Sequence, residues 1–209
     1  MVPGADSAGL VLPIIPLQTE TAFCELPAPK RTHTRANLRI QDGCDRFCSY
    51  CLIPYLRGRS RSRSMESVHA EALACGAREI VLTGIDITSY RDGEKDLGDL
   101  LLSLKDVPAR IRLGSLEEGI VSREFLEKMK KAGNVCEHFH LSLQSGSDAV
   151  LRAMNRRYTR EQYLQACALI GEFFPDAAVT TDIIVGFPTE TEEDFMQSLR
   201  IVGEAGLAR

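Results

Sequence analysis

Residues 41–64 read QDGCDRFCSYCLIPYLRGRSRSRS. Three cysteines, Cys44, Cys48 and Cys51, fall within eight positions in the spacing C-x3-C-x2-C, and an arginine–serine run follows. Structural zinc sites close on four ligands. Here His33 or a scattered cysteine would have to complete such a site from a distance. Three thiolates better suit a [4Fe–4S] cube that leaves one iron open to a ligand. Asp45, Arg46 and Ser49 flank the cysteines, so the stretch is too polar to be three core thiols. The other four cysteines, Cys24, Cys75, Cys136 and Cys167, are scattered, and an odd, uneven set of seven makes a poor disulfide framework.

Outward from this stretch, strands alternate with helices. Asn37–Gln41 is a short strand that runs into the cysteine loop. Ser64 caps a helix with an apolar face of Met65, Val68, Ala72 and Cys75, stopped by Gly76. Glu79–Thr83 is a buried-type strand, and Leu97, Leu100, Leu101 and Leu104 mark the next helix. Arg110–Ser115 is strand-like. Ser122 caps a helix that ends at Gly133, and His138–Leu143 is a fourth strand. Thr159 and Gln162 form a capping box, Val179–Val185 is a fifth strand, and Thr191 opens a last helix. Such alternation predicts an α/β fold with a parallel sheet. About five strand–helix units in 209 residues predict a partial TIM-like (β/α) barrel, since a full one takes roughly 250 residues. Residues 1–36, broken by five prolines, are expected to be a linker or the remnant of a preceding domain. Residues 37–209 form the core, incomplete where a sixth strand would begin after Gly206.

The net charge of −4 gives no global pull toward nucleic acid, so any basic surface is local. No apolar run is long enough for a membrane span, and the stretch near Leu10–Ile15 is a poor signal peptide. A cytoplasmic protein is expected. In the barrel the site lies at the carboxyl ends of the strands, where the cysteines sit. His138, His140, Ser142 and Gln144 share one strand face, and this polar face is assigned to the lumen, with Gln144 and Ser145 toward a ligand. The two histidines lack a carboxylate or cysteine at ligand spacing. Arg57, Arg59, Arg61 and Arg63 alternate with small residues; extended, they would line one side and match a phosphate backbone. The alternatives are a solvated loop or internal salt-bridge partners.

C-x3-C-x-aromatic-C after the first strand of a βα barrel resembles the radical S-adenosylmethionine (SAM) superfamily. RIQDGCDRFCSYCLIPYLRGRSRSR, LTGIDITSY, RIRLGSLE, HFHLSLQSGSD, MNRRYT and TTDIIVGFPTETEEDF, in that order, resemble its methylthiotransferase branch. Within the branch they are most similar to members acting on N6-threonylcarbamoyladenosine of tRNA. The resemblance covers about residues 36 to 209. It implies a radical SAM core fold, SAM and a [4Fe–4S] cluster held by Cys44, Cys48 and Cys51. It places Tyr50 near the SAM adenine, Thr83 and Gly84 at the amino group, and Gly186 beside the adenine. It favours Arg156 for the SAM carboxylate. Gln144, Ser145 and Glu117 are placed toward the ribose, and Asp86 adds a carboxylate.

The implied reaction is reductive cleavage of SAM to methionine and a 5′-deoxyadenosyl radical. Hydrogen is then taken from C2 of a modified adenosine at position 37, beside the anticodon, and a methylthio group is installed. The implied partners are the tRNA anticodon loop and a one-electron reductant protein. Family members carry a second cluster on an amino-terminal domain and a carboxyl-terminal RNA-binding domain, neither of which this sequence resembles. The chain is therefore expected to cleave SAM without completing the modification. Two alternatives stay open. One is a methylthiotransferase for isopentenyl-adenosine or a ribosomal-protein aspartate. The other is a zinc-stabilised RNA-binding module without catalysis.

Overall fold

The computed structural model describes residue 23 and residues 34–208. His33, Cys24 and most of the expected linker lie outside the described residues. The strands are β1 (Arg35–Arg39), β2 (Gln41–Asp42), β3 (Arg61–Ser62), β4 (Glu79–Thr83), β5 (Arg110–Leu113), β6 (Ser115–Leu116), β7 (His138–Leu141) and β8 (Ala178–Thr180). The helices are α1 (Ile53–Arg57), α2 (Met65–Cys75), α3 (Leu97–Ser103), α4 (Arg123–Ala132), α5 (Asp148–Ala153), α6 (Arg160–Phe173) and α7 (Glu192–Glu204). β1, β4 and β5 pair in parallel, as do β6, β7 and β8. A parallel bridge from Ile111 to Val135 joins the two ladders into one curved wall.

The two faces of this wall differ as the sequence alternation requires. Leu38, Ile80, Leu82, Ile111, Phe139 and Leu141 are almost fully buried, in one core with Val68 of α2, Leu100 of α3, Leu126 of α4 and Tyr163 of α6. The opposite face carries Arg35, Glu79, Arg110, Arg112, His138 and His140, the polar lining of a partial barrel. Glu79 is buried there beneath three guanidiniums, with Arg35 at 2.6 Å, Arg110 at 2.5 Å and Arg112 at 2.9 Å. His140 Nδ1 lies 3.0 Å from Thr180 Oγ1, which ties β7 to β8 inside the lumen.

Four expected helix starts are present. The side chains of Ser64, Ser122, Thr159 and Thr191 accept backbone N–H groups at the first turns of α2, α4, α6 and α7. Other boundaries differ from expectation. β1 begins at Arg35, two residues ahead of the expected core, because Arg35 and Ala36 already pair with Glu79 and Ile80. The expected strand over 37–41 breaks at Ile40, after which β2 turns to pair antiparallel with β3. The expected strand over 110–115 divides at Gly114 into β5 and β6, and β8 is only three residues long. The cysteine loop is not structureless. Pro54 starts α1 within it, and the β2–β3 pair closes it. Among the described residues, no helix is long and apolar enough to cross a membrane.

Candidate cofactor cleft

Cys44, Cys48 and Cys51 line one cleft of about 300 Å³ at the carboxyl ends of the strands. Tyr50, Gly84, Asp86, Glu117 and Arg156 line it too, with Ser115 and Ser142 from the ends of β6 and β7. A smaller cavity of about 90 Å³ adjoins it and shares Arg46, Cys48, Glu117 and Arg156.

The loop is held in place from three sides. Gln41 is fully buried, and its Nε2 donates to the carbonyl oxygens of Gly43 at 2.7 Å and Asp42 at 2.9 Å and to Ser60 Oγ at 2.9 Å. Its Oε1 accepts the Asp86 N–H at 2.8 Å, so one amide joins the cysteine loop, the arginine run and the end of β4. Gly43 has φ +71°, and a Cβ there would stand 2.0 Å from the Arg59 carbonyl oxygen. Only glycine fits so close a backbone crossing. On the far side the loop docks on α5. Ser49 N–H donates to the Met154 carbonyl at 3.0 Å, and Asn155 Nδ2 donates to that of Phe47 at 2.8 Å. Phe47 and Asn155 both have positive φ, at 52° and 59°, on the two surfaces that meet. Strained backbone of this kind clusters where a site is pre-organised.

The donors around the sulfurs fit thiolates. The Arg46 N–H points to Cys44 Sγ at 3.4 Å, and Arg156 Nη1 to Cys48 Sγ at 3.4 Å. All three cysteines are free of disulfides. Burial pushes the Cys44 thiol up, against the Arg46 N–H, which pulls it down. An iron ligated there would override that burial cost, since a coordinating thiol is deprotonated. Among the described residues no three His, Cys, Asp or Glu side chains converge as they would on a single ion. A cube asks for less convergence, because each thiolate binds a different iron.

Arg156 is only 5% exposed and ion-paired to Glu117 at 2.8 Å. Its Nη2 also donates to the Ser142 carbonyl at 3.1 Å and its Nε to Tyr158 Oη at 3.2 Å. Burial pushes the Glu117 carboxyl above its ordinary value, with Arg156 and Arg46 pulling it down. Arg46 donates from Nε to Asp86 at 3.1 Å.

The cleft thus brings together Cys44, Cys48, Cys51, Tyr50, Gly84, Glu117 and Arg156. Four other expected contacts are not part of its lining. The Thr83 carbonyl accepts the Ile40 N–H within the sheet. Ser145 is fully buried, and its hydroxyl faces Ser198 of α7 and accepts the Ser147 N–H. Gln144, at φ 71°, pairs its backbone with Asp182 and Ile184. Gly186 stands apart, although the neighbouring Phe187 ring packs edge-on against Tyr50 at 6.4 Å.

The arginines do not form the extended cationic row expected of them. Arg57 and Arg61 both clasp Asp42, at 2.8 and 2.6 Å, and Arg59 pairs with Asp45 at 3.0 Å. Arg63 is buried against Glu71 of α2. The cause is the acidic pair flanking Cys44, which draws the run back across β2. Arg46, Ser115 and Tyr158 escaped sequence reading as site residues, whereas Ser142 lies in the cleft in keeping with the lumen face expected of it. Ser115 had a signal in its position, and Arg46 in lying between two cysteines.

The family profile described as "Radical SAM superfamily" matches residues 38–202. The chain belongs to the radical SAM superfamily. This membership and the barrel set aside the zinc-stabilised module. The chain is 40% identical over 205 residues to the tRNA-2-methylthio-N(6)-dimethylallyladenosine synthase of Thermoanaerobacter sp. (strain X514), covering 94% of this chain and 43% of that protein. It is 40% identical over 181 residues to the threonylcarbamoyladenosine tRNA methylthiotransferase MtaB of Chlamydia pneumoniae, covering 84% and 43%. The chain therefore spans less than half the length of these curated relatives. Among solved structures, the radical SAM methyltransferase TsrM from Kitasatospora setae superposes with a TM-score of 0.68 at 18% identity, over 82% of this chain and 35% of that one. The cobalamin-dependent radical SAM enzyme OxsB superposes at 0.65 with 14% identity, over 79% and 26%. These likenesses confirm the radical SAM fold. The cysteine loop of this superfamily member opens at the end of the barrel where α/β enzymes place their sites.

Proposed function

We propose that this chain is the SAM-cleaving core of a tRNA methylthiotransferase. Its proposed substrate is N6-threonylcarbamoyladenosine beside the anticodon. The observation that carries the reading is the cleft itself, where three free thiols, two of them with aimed hydrogen-bond donors, line one space with a carboxylate–guanidinium pair. The named activities of the relatives support the reaction class. They divide over the substituent on the adenosine, so the dimethylallyl (isopentenyl) substrate is the second reading.

A [4Fe–4S] cluster held here would supply one-electron reducing chemistry toward SAM. The polypeptide does the rest. Cys44, Cys48 and Cys51 would hold the iron, and the Arg46 N–H and the Arg156 guanidinium would stabilise the charge on Cys44 and Cys48. Tyr50 offers an aromatic wall, and Gly84 lets the backbone at the cleft pack against Gln41 and Ile87, where a Cβ would stand 2.8–2.9 Å from their atoms. Glu117, fixed by Arg156, presents a carboxylate to hydroxyl or ammonium donors. Arg57 and Arg59, the exposed members of the run, form the proposed RNA rim, with Arg61 and Arg63 in the interior beneath it. A tRNA, a one-electron reductant and a cytoplasmic setting follow from this reading.

The test is anaerobic reconstitution with iron and sulfide, followed by reduction with SAM and assay of 5′-deoxyadenosine. The expected result is product from the wild-type chain and none from Cys48→Ala. A wild-type protein that takes up zinc but no iron would overturn the reading.

A further inference from the structure

Each nitrogen of Arg156 already has a partner, and together they use four of its five N–H groups. Its Nε, Nη1 and Nη2 are engaged by Tyr158, Cys48, and Glu117 with Ser142. Arg46 is the opposite case. Its Nε is anchored on the buried carboxylate of Asp86, its side chain is 30% exposed, and its two terminal nitrogens have no partner among the described residues. It lines both the main cleft and the adjoining cavity. A guanidinium fixed at Nε presents a planar pair of donors matched to a planar oxyanion pair. The acidic groups around it are Asp86, which holds its Nε, Glu117, which pairs with Arg156, and Glu118.

We infer that Arg46 is the carboxylate receptor of the cleft. This rests on the proposed function for the identity of its ligands. Two carboxylates can come to it, the amino-acid end of SAM and the threonyl end of a threonylcarbamoyl substituent. An isopentenyl substituent has no carboxylate to offer. In the first case Arg46 positions the cofactor; in the second it selects the substrate.

The experiment compares wild type with Arg46→Gln and with Arg46→Gln/Asp86→Asn, all reconstituted anaerobically to matched iron content. The double variant avoids an unpaired buried carboxylate, and melting curves check the fold. One arm measures SAM affinity by equilibrium dialysis. The other measures binding of anticodon stem-loop RNAs carrying the threonylcarbamoyl or the isopentenyl group. Loss of a bidentate charged contact is worth about tenfold or more in affinity. Weaker SAM binding by that factor, with RNA discrimination kept, assigns Arg46 to the cofactor. Unchanged SAM binding with loss of preference for the threonylcarbamoyl RNA assigns it to the substrate. Both arms within twofold of wild type, or equal weakening toward both RNAs, overturns the inference. Wild type that binds no SAM overturns the proposed function itself.

Discussion

At the scale of the residue, the site is built from side chains whose partners are far away in sequence. Arg156 and Glu117 form one such pair at 2.8 Å, well shielded from water. Removing one member strands the other, which costs about 3–5 kcal/mol, whereas replacing both with apolar groups costs much less. Arg156→Met is therefore expected to destabilise more than Arg156→Met/Glu117→Leu, as read by urea denaturation. Equal losses would show that the pair is not coupled. Gln41 is a second case. Gln41→Leu leaves the Asp86 N–H and the Gly43 carbonyl without their buried partner, at roughly 1–3 kcal/mol per orphaned group. The expected outcome is a lower urea midpoint and poorer iron retention. Neither residue's role was legible. Arg156 was placed near the cofactor by its motif, but its engagement with Tyr158, Ser142 and Cys48 was not. Gln41 read as the last residue of a strand.

At the scale of the element, local chemistry dictated much of what formed. Thr159 and Gln162 cap α6 reciprocally, and the same box of Thr191 and Asp194 opens α7. Thr159→Ala is expected to cost about 1 kcal/mol, measured by urea denaturation; no change would mean the cap is idle. The elements that escaped are the short ones. α1 and α5 have five and six residues, less than two turns, so no apolar period shows in them. α5 is held instead by tertiary contact: its cap Ser147 donates to Asp194 at the start of α7, at 2.5 Å. β2 and β3 have two residues each and exist because Asp42 draws Arg57 and Arg61 onto it.

At the scale of the whole molecule, the lumen of the barrel stores charge as well as the site. Glu79 beneath Arg112, Arg110 and Arg35 is held well below the usual carboxylate range, at about 2. A carboxyl depressed on folding contributes stability above its unfolded value, near 4.5, and loses it as pH falls toward 2. The stability advantage of wild type over Glu79→Gln is thus expected to be full at neutral pH and to shrink as pH falls from about 5 to 2. Denaturant melts across that range measure it. A gap that stays constant would mean that Glu79 is not paired in solution.

The sequence by itself determined the cysteine spacing, the strand–helix alternation, four helix caps and the polar inner face of β7. All of these depend on neighbours within a few residues, where propensity, periodicity and capping act. Only the tertiary structure decided which polar groups meet. It folded the arginine run back onto Asp42 and Asp45, turned Ser145 toward α7, engaged every nitrogen of Arg156 and left the fork of Arg46 open. Those outcomes depend on pairing between groups up to 108 positions apart, and a charge in a sequence carries no mark of the partner that the fold will bring to it.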